Sequence, residues 1–417
     1  MQIIQFILDL GPTVMMPVII TILGVLFGQK ISKAFRAGLT IGIGFAGINL
    51  VIGLLVNNLS PATQAMVTNW GLKLDIMDVG WPIAASISFG TTIVPAVFLI
   101  GIFINTVMLG LNWTKTMNVD LWNYWHFIFT GALVMYLTNN VVIGLIASAL
   151  TIIIILKLAD FTAPYVEKFF QMPGVSLPHT ETVSWALVGI GINKILDKIP
   201  GINKINFDTD TIQKKFGIFG EPMIMGLILG AGIGGLAKYQ VKEIIVLAVN
   251  MSAVMFIMPR MVRILMEGLL PLSESAREFI NKRFPGKEVY IGLDAAVVIG
   301  HPAVISTGLI MIPITLLIAA ILPGNRLLPF TDLAVLPFLV IWAVVPSKGN
   351  IIRSVITSTI MVCFMLLIAT DIAGVATIMA KDVNFAFPEG TSTISSLDAG
   401  AHLIPYIIFK IVQLFMT

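Results

Sequence analysis

Residues Ser176–Trp185 read SLPHTETVSW, a polar segment that lies between long apolar runs. It holds a proline, a histidine, a glutamate and several hydroxyl side chains. Proline removes a backbone donor and breaks a helix, and non-helical backbone at membrane depth persists only where protein or a watery cavity satisfies it. We therefore interpret the segment as the tip of a re-entrant hairpin. The alternative is an ordinary loop whose polar residues are solvated outside the membrane.

The composition of the 417-residue chain indicates an integral membrane protein. Hydrophobic residues make up 57% and charged residues 11% of it, with a mean hydropathy of +0.97, whereas soluble domains carry about a quarter charged residues. The net charge is only +3 and the basic residues fall in short loops, so we expect no nucleic-acid partner. The N-terminus lacks a basic region and a small-residue cleavage site, so we expect no removable signal peptide.

Apolar segments of suitable length predict about eleven transmembrane helices, since a bilayer core needs roughly 20 apolar residues per helix. These segments are residues 12–29, 37–57, 82–111, 123–138, 141–157, 217–236, 243–262, 295–322, 331–346, 351–370 and 401–416. Segments 82–111 and 291–322 are each long enough for a broken helix, or for a hairpin followed by a helix. The expected fold class is an all-α polytopic membrane protein.

Basic residues orient these segments, because cytoplasmic loops carry an excess of lysine and arginine. The turn 30–36 has three basic residues and no acid, so it is predicted to be cytoplasmic. The same rule puts loop 57–80 outside and the basic segments 194–215 and 259–290 inside.

Two halves of the chain resemble each other weakly, which predicts one membrane domain made of repeat one, about 10–195, and repeat two, about 215–417. Equivalent turns of the two repeats fall on opposite sides by charge, so the repeats are expected to be inverted, as in many secondary transporters. Short matches occur in the same order at offsets between 205 and 212: 16–19 with 221–224, 79–85 with 291–297, 120–121 with 332–333, 158–160 with 369–371, and 178–180 with 388–390.

The opening segment has a partner in the second half, Ala386–Ser395, which reads AFPEGTSTIS. Each segment has a proline, then a titratable residue, then hydroxyls. Two hairpin tips that meet near the midplane would present hydrogen-bond donors and acceptors to a polyhydroxylated solute. The candidate contacts in the two tips are His179, Thr180, Thr182, Glu389, Thr391 and Ser392.

Several other positions each have two interpretations. Asp294 opens an apolar run, either as a helix N-cap or as an acceptor for substrate hydroxyls, and we favour the second. Ser86 and Ser88 either allow close helix packing or line the cavity. His126 begins a span and is read as packed or interfacial, beside aromatic residues in 122–125 that indicate an interfacial belt.

The sequence lacks the signatures of several other classes of protein. It has no G-x-x-x-x-G-K-[ST] motif and no catalytic set of a soluble enzyme. Four histidines and one cysteine, Cys363, are too widely spread for a zinc pattern, so we expect neither a metal nor a cofactor. Inverted halves favour alternating access over a channel, with an ion-coupled secondary transporter as the alternative.

Four stretches carry a resemblance to a known family. They are GPTVMMPVIITILGVLFGQKISKAFRAGLTIGIGFAGINLV (11–51), TKTMNVDLWNYWHFIFTGAL (114–133), GIFGEPMIMGLILG (217–230) and FPEGT (387–391). In them the chain resembles the galactitol-type membrane component, enzyme IIC, of the bacterial phosphoenolpyruvate-dependent sugar phosphotransferase system. That family is similar to the ascorbate permeases of the same system.

The resemblance implies a homodimer of elevator-type protomers in the bacterial inner membrane, each with a mobile core that carries two re-entrant hairpins and a scaffold that forms the dimer contact. The phosphate would come from a phosphocysteine on a separate cytoplasmic IIB protein, itself charged by IIA. The chain shows no IIA-like or IIB-like soluble domain, and none of its own residues is expected to be phosphorylated. Implied substrate contacts are His179, Asp294, Glu389, Ser86, Ser88 and His126.

The expected function is therefore that of a permease that binds a galactitol-like polyol and moves it inward with coupled phosphorylation. The basic segment 259–290 has two interpretations. It is either the docking surface for IIB or an anchor set by anionic lipid headgroups, and the sequence leaves both open.

Overall fold

Helices dominate the computed structural model, which describes residues 11–72, 74–202, 207, 221–283, 288–329, 331–385 and 392–416. The helices before residue 200 are α1 Gly11–Leu26, α2 Ile31–Asn69, α3 Trp81–Gly90, α4 Val94–Gly110, α5 Trp125–Thr138, α6 Val141–Phe170, α7 Thr180–Val183 and α8 Ala186–Leu196. Those after it are α9 Pro222–Leu236, α10 Val241–Arg283, α11 Pro302–Ile321, α12 Leu336–Leu339, α13 Ile341–Val344, α14 Ile351–Asp382, α15 Leu397–Ala401 and α16 Leu403–Leu414. Short 3-10 helices span Trp122–Tyr124, Ala295–Val297 and Asp332–Val335.

Among the described residues, five helices are long and apolar enough to cross a membrane: α2, α6, α10 as far as Leu269, α11 and α14. The bent pair α3 and α4 adds a sixth if it is counted as one span. These helices confirm a mainly helical membrane protein. Shorter apolar helices lie in other segments that the sequence had marked as spans, so the count of about eleven stays a prediction.

The helix is interrupted within residues 82–111, as the sequence predicts. α3 ends at Gly90 and α4 begins at Val94, with a bend of 98° between them. Thr91 is extended (φ −76°, ψ 154°), and a proline stands in the first turn of α4, where its missing N–H costs no helical hydrogen bond. The second long run is broken as well, because the 3-10 helix at Ala295–Val297 ends before α11 begins at Pro302.

Two predicted loops are wrong in extent. Loop 57–80 is helical as far as Asn69, and segment 259–290 is helical as far as Arg283. Hydropathy falls where a helix becomes polar, but polar residues such as glutamate and arginine are good helix formers. These helices also pack closely: a Cβ on Gly44 would lie 2.7 Å from the Leu265 backbone, so only glycine allows this approach.

Two small parallel sheets, which the all-α prediction missed, join the halves of the chain. Their strands are β1 Ile76–Asp78, β2 Thr116–Asn118, β3 Val175–Ser176, β4 Tyr290–Gly292, β5 Leu327–Leu328 and β6 Thr393–Ser395. The sheet orders are β5-β1-β6 and β2-β4-β3. Each sheet therefore has a central strand from one half of the chain and both outer strands from the other half.

Asn139 and Asn140 form the turn between α5 and α6. Asn139 ends α5 in the left-handed conformation (φ 50°, ψ 32°), which asparagine tolerates better than most residues. The Asn140 side chain then accepts hydrogen bonds from the amides of Val142 and Ile143, at 2.9 and 3.2 Å, and so caps α6.

Gly189 and Gly191 offer a matched test of the packing of α8. A Cβ on Gly189 would lie 1.8 Å from the carbonyl oxygen of Trp342, whereas one on Gly191 would meet no atom within 4 Å. We expect Gly189→Ala to destabilise the protein by about 1–3 kcal/mol or more, because backbone atoms would have to move. Gly191→Ala should be neutral or stabilising by up to about 1 kcal/mol. Apparent unfolding temperature in detergent measures both, and equal effects of the two substitutions would contradict this packing.

Candidate functional site

A cavity of about 300 Å³ lies where the broken elements of the two halves meet. Its lining combines aromatic and aliphatic walls with a few acids, amides and imidazoles, which is the usual make-up of a small-molecule site. The lining residues are Asn49, Ile52, Trp81, Trp122, Asn123, Trp125, His126, His179, Glu181, Asp294, Ala296, Val335, Phe338 and Asp398.

His179 lies between two carboxylates at this cavity. Its Nδ1 is 2.9 Å from an Asp294 oxygen and its Nε2 is 3.2 Å from a Glu181 oxygen. His179 and Glu181 are both buried. The Ala295 amide also donates to His179 Nδ1 at 3.1 Å. In the neutral ring Nδ1 accepts this bond and Nε2 donates to Glu181, whereas a protonated ring would donate to both carboxylates.

Asp294 is the N-cap that the sequence allowed, and it also lines the cavity. One of its oxygens accepts a hydrogen bond from the amide of Ala296 at 2.9 Å and so caps the 3-10 helix that begins at Ala295. The same oxygen faces His179. The cap therefore fixes the carboxylate against the cavity wall and does not compete with a site role.

A second pair of carboxylates supports the site from behind. Asp332 accepts from the amides of Trp81 and Asp398, both at 2.9 Å. Asp78 accepts from the amides of Thr331 and Asp332, at 3.0 and 3.1 Å. Both carboxylates are almost wholly buried. They satisfy amides that no helix could satisfy, at the first residues of α3, of α15 and of the 3-10 helix Asp332–Val335.

Two groups of donor atoms in and behind the cavity have the spacing of a cation site. They are His126, His179 and Glu181, and Asp120, His179 and Asp294, with ligand atoms within 4.8 Å of one another in each group. Both groups share His179, whose ring nitrogens already face carboxylates, so a cation would have to displace those contacts. The absence of a metal stays a prediction.

The structure brings some of the predicted site residues together and leaves others apart. His179, Asp294 and His126 line the cavity. Thr180 is buried beside it, with a hydroxyl that has no partner among the described residues. Ser86 and Ser88 are not among the lining residues: Ser86 is exposed, and the Ser88 hydroxyl donates to the Ala84 carbonyl at 2.8 Å. Glu389 and Thr391 lie outside the described residues.

The strands support a different alignment of the two polar segments from the one read in the sequence. Ser176 ends β3 beside Gly292, and Ser395 ends β6 beside Asp78. The short helices α7 and α15 follow these strands, and each has an acid at its second residue, Glu181 or Asp398. The counterpart of the His179 segment is therefore the start of α15 and not Pro388–Gly390.

Sequence reasoning missed Asp398 and misread the aromatic residues. Ser396 was the available signal, because serine is a favoured N-cap and predicts a helix start that includes Asp398. In the structure the Ser396 hydroxyl accepts a hydrogen bond from the Ala399 amide at 2.9 Å. The predicted interfacial belt at 122–125 is wrong. Trp125 is only 2% exposed, and it lines the cavity together with Trp122.

Comparisons with known proteins agree on one family. Residues 6–390 match the family EIIC-GAT, described as "PTS system sugar-specific permease component". The chain is 40% identical over 410 residues to the "PTS system galactitol-specific EIIC component" of Escherichia coli K12, covering 98% of this chain and 90% of that protein. It is also 40% identical over 400 residues to a "Putative permease IIC component" of the same organism, covering 95% of this chain and 91% of that protein.

Asp332→Asn tests the support beneath the cavity. An amide group would place a donor against one of the two backbone N–H groups that the carboxylate now accepts, and a buried unmatched donor costs about 1–3 kcal/mol. We expect a clear fall in apparent unfolding temperature. Asp75→Asn is the control, because Asp75 pairs with Arg326 at the exposed surface, where ion pairs contribute little. Equal losses in the two variants would show that Asp332 has no special structural role.

Proposed function

The chain belongs to the EIIC-GAT family of sugar-specific permease components of the phosphotransferase system, and we propose that its solute is a galactitol-like polyol bound in the cavity around His179 and Asp294. Family membership makes it a membrane protein that takes a sugar or polyol and works with a IIB protein. The observation that supports the site is the set of Asp294 with the buried His179 and Glu181, held beside tryptophan walls in a chain of low charge.

The chemistry of a polyol fits this set of side chains. Each hydroxyl loses hydrogen bonds to water on entering, and an unmet buried polar group costs about 1–3 kcal/mol. Carboxylates accept from several hydroxyls, and imidazole and amide groups donate and accept. The C–H faces of the solute would pack on Trp81, Trp122 and Trp125. An anionic solute would be harder to place, since Glu181 and Asp294 would repel it.

The proposed architecture is that of inverted repeats with two re-entrant hairpins and an elevator-type core. Two features support it. The strands are exchanged symmetrically between repeat one, about 10–195, and repeat two, about 215–417. The segment Ser176–Trp185 is entirely buried and contains only four residues of helix before α8. The homodimer and the location in the bacterial inner membrane follow from the resemblance and are proposals of the same kind.

Delivery would end with phosphorylation by a separate IIB protein. The added phosphate charge keeps the product from returning through an apolar barrier. Arg260 and Arg263 lie in the part of α10 that is apolar enough to span, so the docking surface proposed within 259–290 is better placed in its later part. Anionic headgroups are the alternative partner of those basic residues.

Coupled transport is tested in vesicles that contain the purified chain. Radiolabelled galactitol should accumulate as its phosphate ester when IIB and phosphorylated IIA are supplied inside, because transfer from IIB is the proposed energy source. Accumulation should stop when IIB is left out. Uptake driven by a proton or sodium gradient without phosphoenolpyruvate would support the ion-coupled alternative instead, and non-saturating flux would indicate a channel.

The site itself is tested by galactitol binding to His179→Ala and Asp294→Ala. Each change removes a charge-assisted partner, worth about 1.5–3 kcal/mol, so affinity should fall roughly tenfold to a hundredfold. His301→Ala is the matched control, because His301 packs on Phe169 with ring centres 4.5 Å apart and does not line the cavity. Elution as a monodisperse peak shows that each variant is folded. Wild-type affinity in folded His179→Ala would contradict the site.

A further inference from the structure

Two buried histidines from different halves of the chain are joined at the cavity. His126 Nδ1 lies 2.6 Å from His402 Nε2, and His402 Nδ1 lies 2.8 Å from the carbonyl oxygen of Asp398. Both residues are only 1% exposed. His126 lines the cavity, whereas His402 stands behind it, at the junction of α15 and α16.

The carbonyl oxygen sets the direction of this chain of hydrogen bonds. A carbonyl only accepts, so His402 Nδ1 must carry a proton and donate it. In neutral His402 the other nitrogen, Nε2, is then an acceptor. His126 Nδ1 must therefore donate to it, which leaves His126 Nε2 without a proton. Neutral rings are the less costly state here, because a cation placed in a buried site needs a close anion. The Asp398 Oδ2 atom lies 3.9 Å from His402 Nδ1.

We propose that His402 is a positioning residue that holds His126 in the Nδ1–H tautomer, so that His126 Nε2 accepts a hydrogen bond from one hydroxyl of the solute. This inference rests on the proposed function, since it names how one residue of that cavity recognises a polyol. In this role His126 is a hydrogen-bond acceptor that recognises a hydroxyl donor of the solute.

The unmatched nitrogen supports a role in binding. His126 Nε2 is buried and has no hydrogen-bond partner among the described residues. A buried acceptor without a partner destabilises a fold by about the free energy of a lost hydrogen bond. One ligand atom from each of His126, His179 and Glu181 falls within a 4.8 Å group. A hydroxyl that donates to His126 would thus lie close to the imidazole and carboxylate already assigned to the solute.

Neighbouring rings hold both imidazoles against rotation. Trp125 packs on His126 with ring centres 4.0 Å apart, and Phe129 packs on His402 at 5.1 Å. Asp398 is itself fixed, since its amide donates to Asp332 at 2.9 Å. Because the His126 ring cannot turn, its proton stays on Nδ1 as long as His402 Nε2 is there to accept the hydrogen bond. Supplying that acceptor is the role we assign to His402.

The first test reads the tautomers directly, without any solute. Protein labelled with ¹⁵N-histidine, in lipid nanodiscs, is assigned with His126→Gln and His402→Gln. We expect His126 and His402 to be neutral, with a proton on Nδ1 and none on Nε2. A protonated Nε2 on His126 would overturn the proposal, whatever the protein transports.

The second test reads the acceptor through the solute. Galactitol analogues in which one hydroxyl at a time is replaced by fluorine keep an acceptor but lose a donor. In the wild-type protein at least one replacement should weaken binding about tenfold through loss of the bond to His126, and His126→Phe should abolish that penalty.

His402→Phe and His402→Gln separate positioning from packing. Phenylalanine keeps a ring but removes the acceptor, so His126 is free to move its proton to Nε2, and the fluorine penalty assigned to His126 should disappear. Glutamine keeps a side-chain oxygen at similar reach and should retain the penalty. A penalty that persists in folded His402→Phe would overturn the proposal. If wild-type protein binds none of the polyols, the proposed function fails, and the nitrogen spectra still decide the tautomer.

Discussion

Non-helical backbone inside an apolar protein needs hydrogen-bond partners, and the architecture of this permease depends on how that need is met. Several short segments leave the helical path, and backbone at membrane depth has no bulk water to satisfy its amides. The exchanged strands satisfy part of this backbone, because each outer strand pairs with a central strand from the other half. The carboxylates of Asp78 and Asp332 satisfy much of the rest.

The same solution creates the binding cavity. Breaking helices near their middle exposes helix starts and polar side chains where a continuous helix would expose only apolar ones. Asp294 is an example, because one carboxylate caps the 3-10 helix that follows β4 and also contacts His179. Several polar groups that face the cavity are held by another group behind them, as Asp294 is by the Ala296 amide and His126 is by His402.

Transport with coupled phosphorylation requires a site that distinguishes an uncharged polyol from its phosphate ester. Carboxylates suit the first and repel the second, so phosphorylation would weaken the hold of the cavity on its product at the moment of delivery. Glu181, Asp294 and Asp398 give the cavity this character. The histidines reduce the acidic character of the cavity. His179 lies between two of the acids, and His126 presents a neutral acceptor.

The sequence by itself determined the membrane class and the break within 82–111, because composition and proline act locally. Resemblance in four stretches determined the family. Only the tertiary structure decided that Asp398 is the counterpart of Glu181, that Trp125 faces the site, and that His402 lies behind His126. The reason is physical: strand register and ring contacts join residues hundreds of positions apart, and local patterns carry no record of such pairings.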